Sequence, residues 1–153
     1  MTQYIPVYRD TDEFKEIQKK FPHNEIMFIE KVDNYVTRDA FEKCELEEHT
    51  TMMFHGTSVK VQESIIDNGF KKEFSKRAAY GLGNYFSPQS STSLGYTTPE
   101  FGYITLFLNR VKLGKFGVNH SGNNYDIFVL FENCQSLPVY RIGIESTKCK
   151  SII

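Results

Sequence analysis

The sequence predicts a mixed α+β domain, and three observations carry that expectation. Apolar runs that read as strands recur about six times and helical patterns about four times. The helical patterns do not separate the strands regularly, which argues against a doubly wound parallel sheet. Residues 103–111 form a long β-rich run that is apolar on both faces, as a central strand must be.

Each element has its own signal. Asp10-Thr11-Asp12-Glu13 reads as a helix start, with Asp10 as the cap and Glu13 three residues later as in a capping box. Phe14, Ile17 and Phe21 follow at helical spacing, and Pro22, lacking an N–H, closes the segment. Ile26-Met27-Phe28-Ile29 is a short strand. Asn34 can cap a second helix, whose apolar face includes Val36, Ala40 and Phe41. Thr51-Met52-Met53-Phe54 is a strand that runs into His55-Gly56-Thr57. Ser58 can cap the next helix, where Val61, Ile65 and Ile66 form a stripe and Asn68-Gly69 supplies a left-handed stop. Residues 71–79 are polar and read as a loop. The turn Tyr80-Gly81-Leu82-Gly83 enters a strand at Asn84-Tyr85-Phe86-Ser87, and a short helix covers 88–96. Beyond the central strand, Gly114 and Gly117 begin a turn region that reaches Ser121-Gly122-Asn123-Asn124. Residues 127–131 and 139–144 are the last two strands.

Composition narrows the function classes. With 153 residues the chain suits one domain, and 40% hydrophobic and 14% aromatic content is enough for a core. The 18 Lys and Arg against 19 Asp and Glu leave a net charge of -1, without the basic excess of a generic nucleic-acid binder. No run approaches the roughly 20 apolar residues of a membrane span, and the N-terminus lacks a secretory signal pattern. Cys44, Cys134 and Cys149 include no C-x-x-C pair, which suggests a reduced intracellular protein, cytoplasmic or nuclear. His23, His49, His55 and His120 show no i, i+4 pairing around a carboxylate, so no metal is expected.

Three local patterns carry the chemistry. The first is Phe54-His55-Gly56-Thr57 with Ile65-Ile66-Asp67-Asn68-Gly69-Phe70. The second is Tyr80-Gly81-Leu82-Gly83-Asn84-Tyr85-Phe86-Ser87, followed by Ser93 and Tyr96. The third is Ile127-Phe128-Val129-Leu130-Phe131, with Gln135, Pro138 and Tyr140 behind it. Taken singly, His55 reads as a structural histidine, Gly56 as a turn glycine, Tyr85 as a core tyrosine and Ser93 as a polar helix position.

In order and spacing together they resemble the catalytic domain of the poly(ADP-ribose) polymerase family, the diphtheria-toxin-like ADP-ribosyltransferases. The resemblance covers about residues 13–144, so that 1–153 is expected to be one minimal catalytic domain with no regulatory helical or targeting domain. It implies a split, mainly antiparallel β core with short flanking helices, and NAD as co-substrate. It also implies the site: His55 bonds the adenosine ribose, and the Gly56 backbone and Ser93 hydroxyl hold the nicotinamide carboxamide. Tyr85 and Tyr96 are then the walls of the nicotinamide slot. The sequence departs from the family's G-K-G-[IV]-Y-F pattern, with Leu82 for the lysine and Asn84 for the aliphatic residue. Alignment on Gln135 puts Ile127 where polymerases carry a glutamate. The catalytic positions thus read His55, Tyr85 and Ile127, which resembles the mono-ADP-ribosylating branch. Asp126 and Glu132 share the opposite strand parity and are expected to face away from the cleft.

The expected activity is transfer of one ADP-ribose unit from NAD to a protein or nucleic-acid acceptor. The same Ile127 suits a silent module that binds NAD or ADP-ribose. An RNA 2'-phosphotransferase is the more distant option, and the scatter of Arg9, Arg38, Arg77, Arg110 and Arg141 along the chain counts against its phosphate pocket. The acceptor and the oligomeric state stay open, with a monomer favoured.

Overall fold

Eight strands and four α-helices follow one another in a computed structural model that describes residues 2–46, 49–74, 79–99 and 102–145. They are β1 (Thr2–Val7), α1 (Asp12–Gln18), β2 (Ile26–Asn34), α2 (Tyr35–Glu42), β3 (Thr51–His55) and α3 (Val59–Asn68). Then come β4 (Asn84–Phe86), α4 (Ser90–Leu94), β5 (Tyr103–Val111), β6 (His120–Gly122), β7 (Phe128–Leu130) and β8 (Ser136–Glu145). Single 3-10 turns lie at Lys72–Phe74 and Asn133–Gln135.

The strands form two antiparallel sheets, one of five in the order β1-β2-β8-β5-β3 and one of three in the order β4-β7-β6. Among the described residues the sheets join at one bridge, where Phe54 N–H donates to the Ser87 carbonyl at 2.7 Å and Ser87 N–H to the Phe54 carbonyl at 3.0 Å. The split antiparallel core and the short helices agree with the fold expected from the sequence.

Burial explains why the large sheet holds. Ile104, Leu106 and Leu108 of β5 point to a core that includes Phe14 and Ile17 of α1 and Ile142 and Ile144 of β8. Phe107 and Val111 point the other way, to a second core with Ile65 and Ile66 of α3 and Phe86, Phe128 and Leu130 of the small sheet. The two-faced apolar run of β5 is thus a strand between two cores. Each large side chain so covered contributes about 1.5–3 kcal/mol.

Several local expectations shift. The cap of α1 is Thr11 and not Asp10, with the Thr11 hydroxyl accepting the Phe14 N–H at 3.2 Å. The capping box with Glu13 does not form, because that carboxylate bonds Tyr140 and pairs with Lys31 at 3.0 Å. Phe21 is buried as expected but lies past the helix end. On α2 only Phe41 is buried, whereas Ala40 is exposed and Val36 lines a shallow surface depression of about 450 Å³. Ser58 takes the N-cap position of α3 without a side-chain bond, and Gly69 stops that helix at φ +81°.

Asn34 does more than expected. Its Oδ1 accepts the Val36 N–H at 3.0 Å, and its amide nitrogen donates to the Ile66 and Asp67 carbonyls at 3.3 and 3.1 Å. One side chain therefore closes the start of α2 and the end of α3.

Two strands are additional. β1 is a largely exposed edge strand containing Pro6, so it carries no period-2 signal, and β6 is three residues inside a turn region. Pro138 lies in β8 opposite Asn109 of β5, two residues before the β2 ladder begins at Tyr140. It is tolerated at a bulge, because the register steps from Leu108 opposite Tyr140 to Asn109 opposite Pro138 and leaves Val139 unpaired with β5.

Candidate functional site

The bridge between the sheets places His55 and Tyr85 side by side. His55 ends β3 one residue after Phe54, and Tyr85 stands in β4 two residues before Ser87. The His55 Nδ1–H donates to the Tyr85 carbonyl oxygen at 2.6 Å. A carbonyl only accepts, so Nδ1 carries the proton in this bond. The imidazole packs edge-on against Phe70, with centroids 5.0 Å apart, and tilted against Phe86 at 5.2 Å.

Gly56 is a glycine for a reason the sequence does not show. A Cβ built on it would lie 1.9 Å from the Ser93 carbonyl oxygen. What the missing side chain admits is the backbone of α4, which brings Gly56 and Ser93 together. Gly56 also lies one residue past the last β3–β5 pair, His55 with Phe107, so it stands outside that ladder. Ser93 is 2% exposed. Tyr96 follows one turn later, half-buried, its N–H bonded to the Ser93 carbonyl at 3.1 Å.

Tyr85 is fixed at its far end. Its hydroxyl donates to the Gly81 carbonyl at 2.8 Å and accepts the Tyr80 N–H at 3.1 Å. This closes the Tyr80–Gly83 turn, where Gly81 has φ +93°. Gly83 lets that turn press on β7, since a Cβ there would lie 2.6 Å from the Leu130 carbonyl oxygen.

Ile127 shares a face with Tyr85. Tyr85, Ile127 and Val129 form one buried cluster, with Val129 directly opposite Tyr85 in the β4–β7 ladder. Phe128 and Leu130 turn to the other face, as strand alternation requires. Asp126 is outside the strand, so alternation does not govern it. Its carboxylate accepts from the Asn123 amide and from the Thr92 hydroxyl at 3.4 Å, one residue before Ser93. Glu132 caps the Asn133–Gln135 turn.

Three further residues hold the site in place. The Asn123 Oδ1 accepts the N–H groups of Tyr125, Asp126 and Ile127 at 2.9–3.0 Å, and so sets the backbone that presents Ile127. An Asn after Gly in a turn region is a signal for such a clasp. Gln135 is fully buried, donating to the carbonyls of Lys112 and Asn119 at 3.0 Å each and accepting the Glu132 N–H at 2.7 Å. Asn133 accepts from Lys72 N–H at 2.8 Å and the Asn84 amide at 3.2 Å, fastening β4 beside Tyr85. Nothing in the sequence marks Gln135 or Asn133 as polar hubs, because their partners are backbone groups or distant in the chain.

Among the described residues no three His, Cys, Asp or Glu side chains gather as a metal site, and no helix is long and apolar enough to cross a membrane.

Comparison with known proteins places the chain in a family. A family model described as the poly(ADP-ribose) polymerase catalytic domain matches residues 8–123. The mouse protein named protein mono-ADP-ribosyltransferase PARP10 is 28% identical over 139 aligned residues, 73% of this chain and 14% of that relative. The chain thus spans a small part of that relative's length.

Proposed function

Because the chain belongs to the poly(ADP-ribose) polymerase catalytic-domain family, we propose that it moves one ADP-ribose unit from NAD to an acceptor side chain and releases nicotinamide. The observation that carries this reading is the pairing of Gly56 with Ser93 beside the bonded His55 and Tyr85. The donor set fits the dinucleotide. Gly56 offers backbone groups outside its ladder, and Ser93 offers a hydroxyl, which suits a planar carboxamide. His55, its ring held through Nδ1 on the Tyr85 carbonyl, presents an oriented imidazole to a ribose hydroxyl, while Tyr85, pinned through its own hydroxyl, offers a fixed aromatic wall.

The reaction breaks the bond between C1' and the nicotinamide nitrogen. The electron pair goes to that nitrogen and cancels its positive charge, and the acceptor atom bonds to C1'. Holding and orienting the substrate supplies much of the acceleration, because the leaving group departs neutral. An ionised acceptor carboxylate brings no proton to remove, so a general base is dispensable. Ile127 supports the addition of single units, since an aliphatic side chain cannot deprotonate or orient an incoming ribose hydroxyl.

Incubation of the chain with labelled NAD, read by denaturing gel and intact mass, tests the proposal. Additions of one ADP-ribose per site are expected. A slow-migrating ladder from the unmodified chain would overturn single-unit transfer. Binding of NAD without label transfer would favour a silent binding module, the reading that Ile127 also suits.

A further inference from the structure

Cys44 and Cys134 are 90 positions apart in the chain, yet the Cys134 thiol donates to the Cys44 sulfur at 2.6 Å. Cys44 lies just past the end of α2, and Cys134 sits inside the Asn133–Gln135 turn. Both are half-buried, and both are anchored through their surroundings. The Cys44 N–H donates to the Phe41 carbonyl at 3.2 Å. Lys112, only 7% exposed, sends its ammonium to the carbonyls of Phe41 and Cys44 at 2.6 and 3.4 Å and lies 4.5 Å from the centre of the Phe41 ring. On the other side, the residues flanking Cys134 are the polar hubs Asn133 and Gln135. The two sulfurs are thus held in contact by bonds that do not involve them, with a buried cation close by.

We propose that Cys44 and Cys134 are a modification site, a reversible dithiol–disulfide pair oxidised by peroxide and reduced by small thiols. Peroxide converts one thiolate to a sulfenic acid and releases hydroxide. The second sulfur then displaces the sulfenic oxygen, which leaves as water, so two thiols and one hydrogen peroxide give one disulfide and two waters. Burial pushes the Cys44 thiol up to about 12, ahead of its contact with Cys134 and against the pull of the Lys112 charge. Cys44 therefore rests as a thiol. The bond would tie α2 to the turn whose Asn133 fastens β4. It needs no assumption about ADP-ribose transfer.

The test compares the whole chain after hydrogen peroxide and after dithiothreitol, with alkylation, digestion and peptide mass mapping. In the oxidised sample a cross-link is expected between the Cys44 and Cys134 peptides, two hydrogens lighter than the two thiol peptides together. Dithiothreitol should reverse it. Oxidation should raise Tm by roughly 5 °C or more, because closing so long a loop restricts the unfolded chain. Cys44→Ser and Cys134→Ser should each abolish the cross-link and that rise. Alkylation of both cysteines after peroxide, a link to Cys149, or oxidation of Cys134 to a sulfinic acid without a cross-link would overturn the proposal. The mapping on the unmodified chain settles the question whether or not either variant folds.

Discussion

Gly56 and Ile127 are each legible in the sequence, and each for an incomplete reason. Gly56 follows a strand and a histidine, so its place in the site can be read locally. The need for glycine comes from the Ser93 carbonyl 37 positions away, which no local pattern encodes. Gly56→Ala should therefore push α4 off β3, costing about 1–3 kcal/mol in denaturant unfolding and weakening binding of a benzamide. An alanine variant of native stability and affinity would show that the contact is not needed. Ile127 is legible through its distance from Gln135, whereas Asn123, which sets its backbone, is legible only as a turn residue after Gly122. Ile127→Glu puts a carboxylate into the cluster with Tyr85 and Val129 and should destabilise by about 1–3 kcal/mol. It should raise nicotinamide release more than polymer formation, since chain growth also needs an acceptor groove. Assays of nicotinamide and of gel mobility on the same sample check both parts, and polymer as the main product would contradict the second.

At the scale of elements, strong periodicity was readable and exposed or short pieces were not. β5 and α3 announce themselves because both bury apolar residues at a fixed period. β1 shows four exposed residues in succession and a proline, and it exists only because β2 offers an edge. The cap of α1 moved from Asp10 to Thr11 because Glu13 has a better use. Its carboxylate accepts the Tyr140 hydroxyl, tying α1 to β8, and pairs with Lys31 of β2. The Tyr140 hydrogen bond, with help from Lys31, holds the Glu13 carboxyl below its ordinary 4.5 against the opposing effect of burial. A depressed folded value means stability that is complete above 4.5 and lost as pH falls through the folded value. Glu13→Gln should therefore lower stability at pH 7 by about 0.5–1 kcal/mol, solvent screening included, and by less near pH 3. Urea midpoints at the two pH values measure this, and a difference independent of pH would refute it.

For the whole molecule, the α+β class was readable from the irregular order of strands and helices. The division into two sheets came only through family resemblance, since it depends on which strands pair. A benzamide that occupies the proposed nicotinamide slot binds the folded state alone, so saturating amounts should raise Tm. No rise in a folded sample would count against the slot, and His55→Ala should leave most of the rise, because His55 is assigned to the adenosine half. The bridge of Phe54 with Ser87 has a further consequence. Each strand of the smaller sheet has three residues, whereas β2 and β5 have nine each and β8 has ten. Short ladders open at lower cost than long ones, so the smaller sheet should behave as a separate cooperative unit. In native-state amide exchange, Phe86 and Val129 should lose protection before Leu106 and Ile142. Warming would then part Tyr85 from His55 while most of the helix and sheet signal persists, and the proposed transfer would stop several degrees below the temperature at which the chain melts.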